Sequence, residues 1–171
     1  MKELLLVDGY NVINAWPELI ALRDDLEYAR DKLVEILSGY GAFKSQQVII
    51  VFDAHAVSGS NESYFIAPGL EVVYTSEGET ADSYIERLAY EQVRSGKRVF
   101  VVTSDWTEQL VILGVGAYRI SARELLQEVK KVRRQLEDGY SKNVLTYRRQ
   151  ELENRLSKEV VERLEELRKK V

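Results

Sequence analysis

Four short runs of Val, Ile, Leu and aromatic residues constrain this chain more than anything else in it: Glu3–Val7, Val48–Phe52, Leu70–Tyr74 and Val99–Thr103. None alternates cleanly between apolar and polar positions. Continuous apolar runs of that length suit strands covered on both faces, the condition of a parallel sheet. Ala117–Ile120 is a weaker fifth candidate. Between the runs the apolar spacing changes from continuous to helical. Leu26, Ala29, Leu33, Ile36 and Leu37 recur at three- and four-residue intervals, and Gly39 and Gly41 predict the end of that helix. Tyr84, Ile85, Leu88, Ala89 and Val93 repeat the pattern, with Gly96 closing it, and a shorter helix is expected from Thr107 to Leu113. Strands alternating with helices indicate right-handed βαβ units and a doubly wound α/β sheet. The stretch Ala54–Pro68, with Ser58, Gly59, Ser60 and Asn61 at its centre, reads as one long loop.

From Ala122 onward the pattern is helical almost throughout. Ser121 and Glu124 have the spacing of a capping box, and Gly139 predicts a division into Ala122–Glu137 and Leu145–Lys170. Leu152, Leu156, Val160, Leu164 and Leu167 form one apolar stripe on the second of these. No Pro-, Gly- or Ser-rich linker precedes the tail. The expected organisation is therefore a domain over residues 1–125 and a helical extension over residues 126–171 that packs on it.

The composition removes whole classes of chemistry. There is no cysteine, which excludes disulfides, thiolate zinc sites and a cysteine nucleophile. The single histidine, His55, cannot supply a histidine acid–base pair. The apolar run Leu4–Val7 stops at Asp8, too short for a signal-peptide core or a membrane span, so the expectation is a cytoplasmic protein without a membrane partner. The net charge of −4 conceals an asymmetry: residues 1–120 carry 10 Lys and Arg against 18 Asp and Glu, whereas residues 121–171 carry 14 against 10. An acidic body with a basic tail suits an enzyme that concentrates cations in one place and gathers a polyanion in another.

Ligands bind open parallel sheets beyond the carboxyl ends of the strands, and acids recur there. Asp8 follows the first run, Asp53 the second, and Asp105 stands two residues past the fourth. Glu79 and Asp82 follow the third, in the turn and first helical residues; their spacing puts them on one face if both are helical. Each has a duller role open to it: Asp82 facing a helix dipole, Asp105 as an N-cap, Asp53 in an Asx-turn. Asp8 resists one, because its apolar flanks imply burial and a buried unpaired carboxylate is costly. Converging carboxylates repel unless Mg²⁺ or Mn²⁺ neutralises them or some take up protons. Two such ions can drive phosphodiester hydrolysis without histidine.

The segment Asp8-Gly9-Tyr10-Asn11-Val12-Ile13, with Ala81-Asp82 opening a helix and Thr103-Ser104-Asp105 after a strand, resembles the NYN domain in its bacterial YacP-like branch. The likeness covers about residues 2–125. It implies a PIN-like three-layer fold with a central, mainly parallel sheet of four or five strands, helices on both faces and a C-terminal helical extension. It also implies a Mg²⁺- or Mn²⁺-dependent endoribonuclease acting on RNA, with a connection to mRNA turnover and the ribosome. By this resemblance Asp8, Asp82 and Asp105 match the metal-binding acids, Glu79 is a fourth, and Asp53 matches a further strand-end position. Asn11 matches the Asn after the first acid, whose amide would orient Asp8 or contact a phosphate.

For holding RNA, the helical tail offers Lys130, Lys131, Arg133 and Arg134, of which Lys130, Arg133 and Arg134 share a face. Tyr10, Tyr64 and Trp106 are candidates for stacking on unpaired bases. The rival reading is a non-catalytic RNA- or ribosome-binding module whose acids survive as structural caps.

Overall fold

β1 (Glu3–Asp8) is the strand on which the rest is assembled, and its Leu4, Leu5, Leu6 and Val7 are fully buried. In the computed structural model, which describes residues 2–53, 62–104, 106–155 and 158–169, β1 pairs in parallel with β2 (Gln47–Phe52) on one side. On the other side it pairs in parallel with β5 (Arg98–Val102). Outside these, β4 (Leu70–Tyr74) joins β2 and β6 (Tyr118–Ile120) joins β5, again in parallel. The antiparallel strand β3 (Glu62–Ala67) closes one edge, giving the order β3-β4-β2-β1-β5-β6.

The described sheet therefore has six strands, one more than expected. The extra strand comes from the stretch read as a loop, whose residues 54–61, His55 among them, lie outside the described residues. Strand β3 is an edge strand with a register shift between Phe65 and Ala67, and Ile66 is exposed. An irregular edge strand needs neither a buried run nor strict alternation, so its sequence carries little strand signal.

The helices are α1 (Gly9–Ile13), α2 (Pro17–Ile20), α3 (Leu26–Lys44), α4 (Ala81–Arg94), α5 (Trp106–Gly114), α6 (Ala122–Arg155) and α7 (Lys158–Lys169). The first two are too short to show a period and were not anticipated. Two glycine expectations are corrected. Gly39 and Gly41 do not end α3, which runs on to Lys44 and stops at Ser45, whose φ of 53° is left-handed. Gly41 is there for a different reason: a Cβ on it would stand 2.8 Å from Val48 Cγ2, where α3 lies against β2. Gly139 does not divide the tail, since α6 is continuous through it. A helical glycine costs only about 1 kcal/mol, less than the surrounding Leu, Glu, Lys and Arg contribute together. The capping box holds: Glu124 N–H donates to Ser121 Oγ at 3.1 Å and Ser121 N–H to Glu124 Oε2 at 2.7 Å.

Alternation along β1 sorts the core into two layers. Leu5 and Val7 pack with residues of α1, α2, α3 and the start of α6, whereas Leu4 and Leu6 pack with Ile85 and Ala89 of α4 and Ile112 of α5. Trp16, fully buried, donates its Nε1–H to the Ala122 carbonyl at 2.7 Å. Two compact units result, Met1–Val132 and Arg133–Val171. In the second, Val160, Leu164 and Leu167 of the anticipated apolar stripe are exposed. Leu156 lies outside the described residues, as does the side chain of Leu152. Among the described residues no helix is long and apolar enough to cross a membrane.

Candidate active site

The chain leaves β1 toward β2, and after β4 it returns to the other flank of β1 as β5. Connections that diverge in this way leave a crevice beyond the carboxyl end of the central strand. Asp8 stands there, the last residue of β1 and in register with Val51. Its extended backbone makes it the N-cap of α1, and its Oδ1 accepts the Asn11 N–H at 3.2 Å. The turn is possible because residue 9 is glycine. A Cβ at that position would lie 2.2 Å from Phe52 Cε1.

The Asp8 carboxyl is pushed up to about 6, first by burial and then by Asp82 and Asp53, against the lowering effect of the Asn11 N–H. Asp82 sits in the first turn of α4, behind the N-cap Thr80, close enough to Asp8 for a hydrogen bond between the two carboxyls. A third acid faces the same pair. Glu108 of α5 is 3% exposed, and burial raises it to about 7, with Asp82, Asp8 and Glu86 adding to the rise and the Thr103 hydroxyl opposing it. Thr103 Oγ1 donates to Glu108 Oε2. Alongside, Asn11 Nδ2 donates to Ser104 Oγ at 2.5 Å. The end of β5 is thus gripped from α5 and from α1. Among the described residues, Asn11 Oδ1 and Glu108 Oε1 are buried without a hydrogen-bond partner.

The model of the YacP-like NYN domain matches residues 5–169. The chain belongs to the YacP-like NYN family. It is 46% identical over 136 residues to YacP of Bacillus subtilis (strain 168), a stretch covering 79% of each chain. The crystal structure of Rae1 (YacP) from Bacillus subtilis is similar to it with a TM-score of 0.73 and 42% identity, covering 97% of this chain and 94% of that one. A point variant of the same protein gives a TM-score of 0.73 and 43% identity over 84% of both chains. The α/β fold expected from the motifs is the NYN fold found, and the family places the chain among the PIN-like nucleases.

Of the acids expected in this NYN site, Asp82 and Asp53 are near enough to Asp8 to raise its carboxyl. Asp105 lies outside the described residues. Glu79 precedes the N-cap of α4, so it does not share a helical face with Asp82; its Oε1 is paired with Arg87 Nη2 at 2.7 Å. Lys130, Lys131, Arg133 and Arg134 lie on α6, with Lys131 paired to Glu128 at 2.9 Å. The Tyr10 ring meets Phe52 edge-on with centroids 5.1 Å apart. Tyr64 and Trp106 fall in β3 and α5, and their side chains lie outside the described residues.

Among the described residues no three His, Cys, Asp or Glu side chains already stand as a ligating set. The donor chemistry nonetheless fits a hard cation. The crowded groups are all oxygen donors, and the two orphaned oxygens lack what a cation would provide. Glu108 escaped the sequence reading. Its signal was one acid in the otherwise apolar-rich segment Trp106–Gly114, three residues after Asp105.

Proposed function

We propose that this protein is a divalent-metal-dependent endoribonuclease that hydrolyses RNA phosphodiester bonds at the carboxyl end of β1. The observation that carries this reading is the approach of Asp8 and Asp82, from separate elements, to within hydrogen-bonding reach, with Glu108 and Asp53 beside them. Like charges are not gathered in a buried place for stability alone. Membership of a PIN-like nuclease family supports the same conclusion.

Asp8, Asp82 and Asp105 would hold the ion or ions, with Glu79 and Asp53 completing the set as the family resemblance implies. A bound Mg²⁺ or Mn²⁺ supplies Lewis acidity and a water of lowered pKa. The chain's own residues do the rest. The Asn11 N–H fixes one Asp8 oxygen, so the carboxylate is presented in one orientation. Asn11 itself is fixed through Ser104, which leaves its Oδ1 as an acceptor turned away from that bond. The Thr103 hydroxyl holds one Glu108 oxygen, leaving the other for an ion, a water or a proton. Lys130, Lys131, Arg133 and Arg134 of α6 would take up phosphate charge from RNA. Messenger RNA on the ribosome, which the family resemblance implies, is the substrate to try first.

The test is cleavage of RNA, free and ribosome-bound, in Mg²⁺, in Mn²⁺ and in chelator. Wild-type protein should cut only with a divalent ion, and Asp8→Asn or Asp82→Asn should lower the rate by at least about a thousandfold with the circular dichroism spectrum unchanged. RNA binding without cleavage in any metal would leave a non-catalytic binding module instead.

A further inference from the structure

The same end of the sheet carries a second cluster, of opposite electrical character. Arg30 lies on α3, directly after the buried Ala29 and three residues before the buried Leu33. It is half-buried. Its Nη1–H donates to Tyr10 Oη at 3.0 Å, and the Tyr74 hydroxyl is within hydrogen-bonding reach of the same guanidinium. Phe52, fully buried, fixes both phenol rings: Tyr10 packs on it edge-on at 5.1 Å and Tyr74 stacks on it at 5.6 Å. Tyr10 is two residues from Asp8, Phe52 directly precedes Asp53, and Tyr74 is in register with Phe52. Tyr10, Phe52 and Tyr74 therefore lie at the same end of the sheet as Asp8 and Asp53.

Among the described residues Arg30 enters no ion pair. The acid whose field raises it is Glu27, on its own helix. A guanidinium carries donors only, and Tyr10 spends an oxygen lone pair on it, so the Tyr10 hydroxyl proton remains to be given elsewhere. A partly desolvated guanidinium outside any ion pair among the described residues forms an anion site. The planar fork of arginine matches two oxygens of one phosphate.

We propose that Arg30, with the hydroxyl of Tyr10, is a phosphate subsite that holds the RNA strand next to the bond to be cut. The subsite rests on the ribonuclease reading, and it is distinct from the carboxylates: it binds the strand's charge, whereas they bind the cation. Tyr10 acts here through its hydroxyl, with its ring packed on Phe52.

The test is the affinity of the full chain for a labelled single-stranded polyuridine oligonucleotide, by fluorescence anisotropy in chelator, over a range of KCl. Arg30→Gln should weaken binding about tenfold. It should also reduce the slope of log affinity against log salt by about 0.7, the signature of one lost phosphate contact. Arg30→Lys should keep the slope and lose part of the affinity. Tyr10→Phe, which preserves the ring packing, should lose affinity at constant slope. If Arg30→Gln does not fold, the lysine and phenylalanine variants decide. An unchanged slope in Arg30→Gln, whether or not affinity falls, overturns the subsite and leaves Arg30 a structural tie for Tyr10. Wild-type protein that binds RNA and cuts it in no metal overturns the ribonuclease reading but not the subsite. Wild-type protein that binds no RNA overturns the subsite directly.

Discussion

Asp8 and Glu108 are acids whose surroundings disfavour the charge they need. Burial and neighbouring carboxylates raise Asp8 from 3.8 to about 6 and Glu108 from 4.5 to about 7. Both folded values lie above the unfolded ones, so the folded protein binds these protons more tightly. The resulting stability is complete below about pH 4 and is lost as pH rises through about 6 to 7. Metal-free protein should lose on the order of 4 kcal/mol between about pH 5 and pH 8. Thermal unfolding in chelator would read this as a falling Tm, and added Mn²⁺ should restore Tm at the upper pH far more than at the lower. A Tm that rises with pH in chelator would contradict the crowding of these acids. Asp8 could be found in the sequence because it ends an apolar run. Glu108 could not, because its burial depends on Thr103 and on the packing of α5, neither of which a helical period discloses.

Among the elements, the turn from β1 into α1 does most to place the chemistry. Gly9 lets the chain reverse against the face of Phe52, and Phe52 is itself wedged between Tyr10 and Tyr74. The ring has nowhere to go. Gly9→Ala should therefore destabilise the protein by about 2 kcal/mol through overpacking, and should reduce cleavage more than stability alone predicts, because Asp8 and Tyr10 flank the site. Chemical denaturation and a rate measurement on the folded fraction check this; an alanine variant with native stability and rate would refute the wedge. The parallel strands were legible because each is an apolar run buried on both faces. What misled was glycine. Gly39, Gly41 and Gly139 looked like helix ends, yet α3 and α6 run through them, since a glycine stops a helix only where the chain must turn left-handed. The true stop of α3 is Ser45. Strand β3 was hidden for the opposite reason: an edge strand is held by backbone pairing to β4, which leaves no mark on side-chain pattern.

At the scale of the whole molecule, the strand order brings together carboxylates that are far apart in the sequence. Asp8 ends β1, Asp53 follows β2, Asp82 opens the helix after β4, and Glu108 lies in the helix after β5. Four parallel strands deliver four acids to one rim. Asp8, Asp53 and Asp82 were visible in the sequence as acids at matching strand ends, and Glu108 was not. The Arg30, Tyr10 and Tyr74 cluster was not, because three residues from a helix, a turn and a strand meet only once the sheet order is known. The proposed ribonuclease chemistry requires this convergence to bind a divalent cation. Mn²⁺ titrated into the full chain and followed by its electron paramagnetic resonance signal tests it most directly. Wild-type protein should bind Mn²⁺ saturably, Asp8→Asn and Asp82→Asn should each abolish that binding, and Glu3→Gln, at the other end of β1, should leave it intact. Equal Mn²⁺ uptake by the wild type and the two aspartate variants would contradict a cation site at this rim.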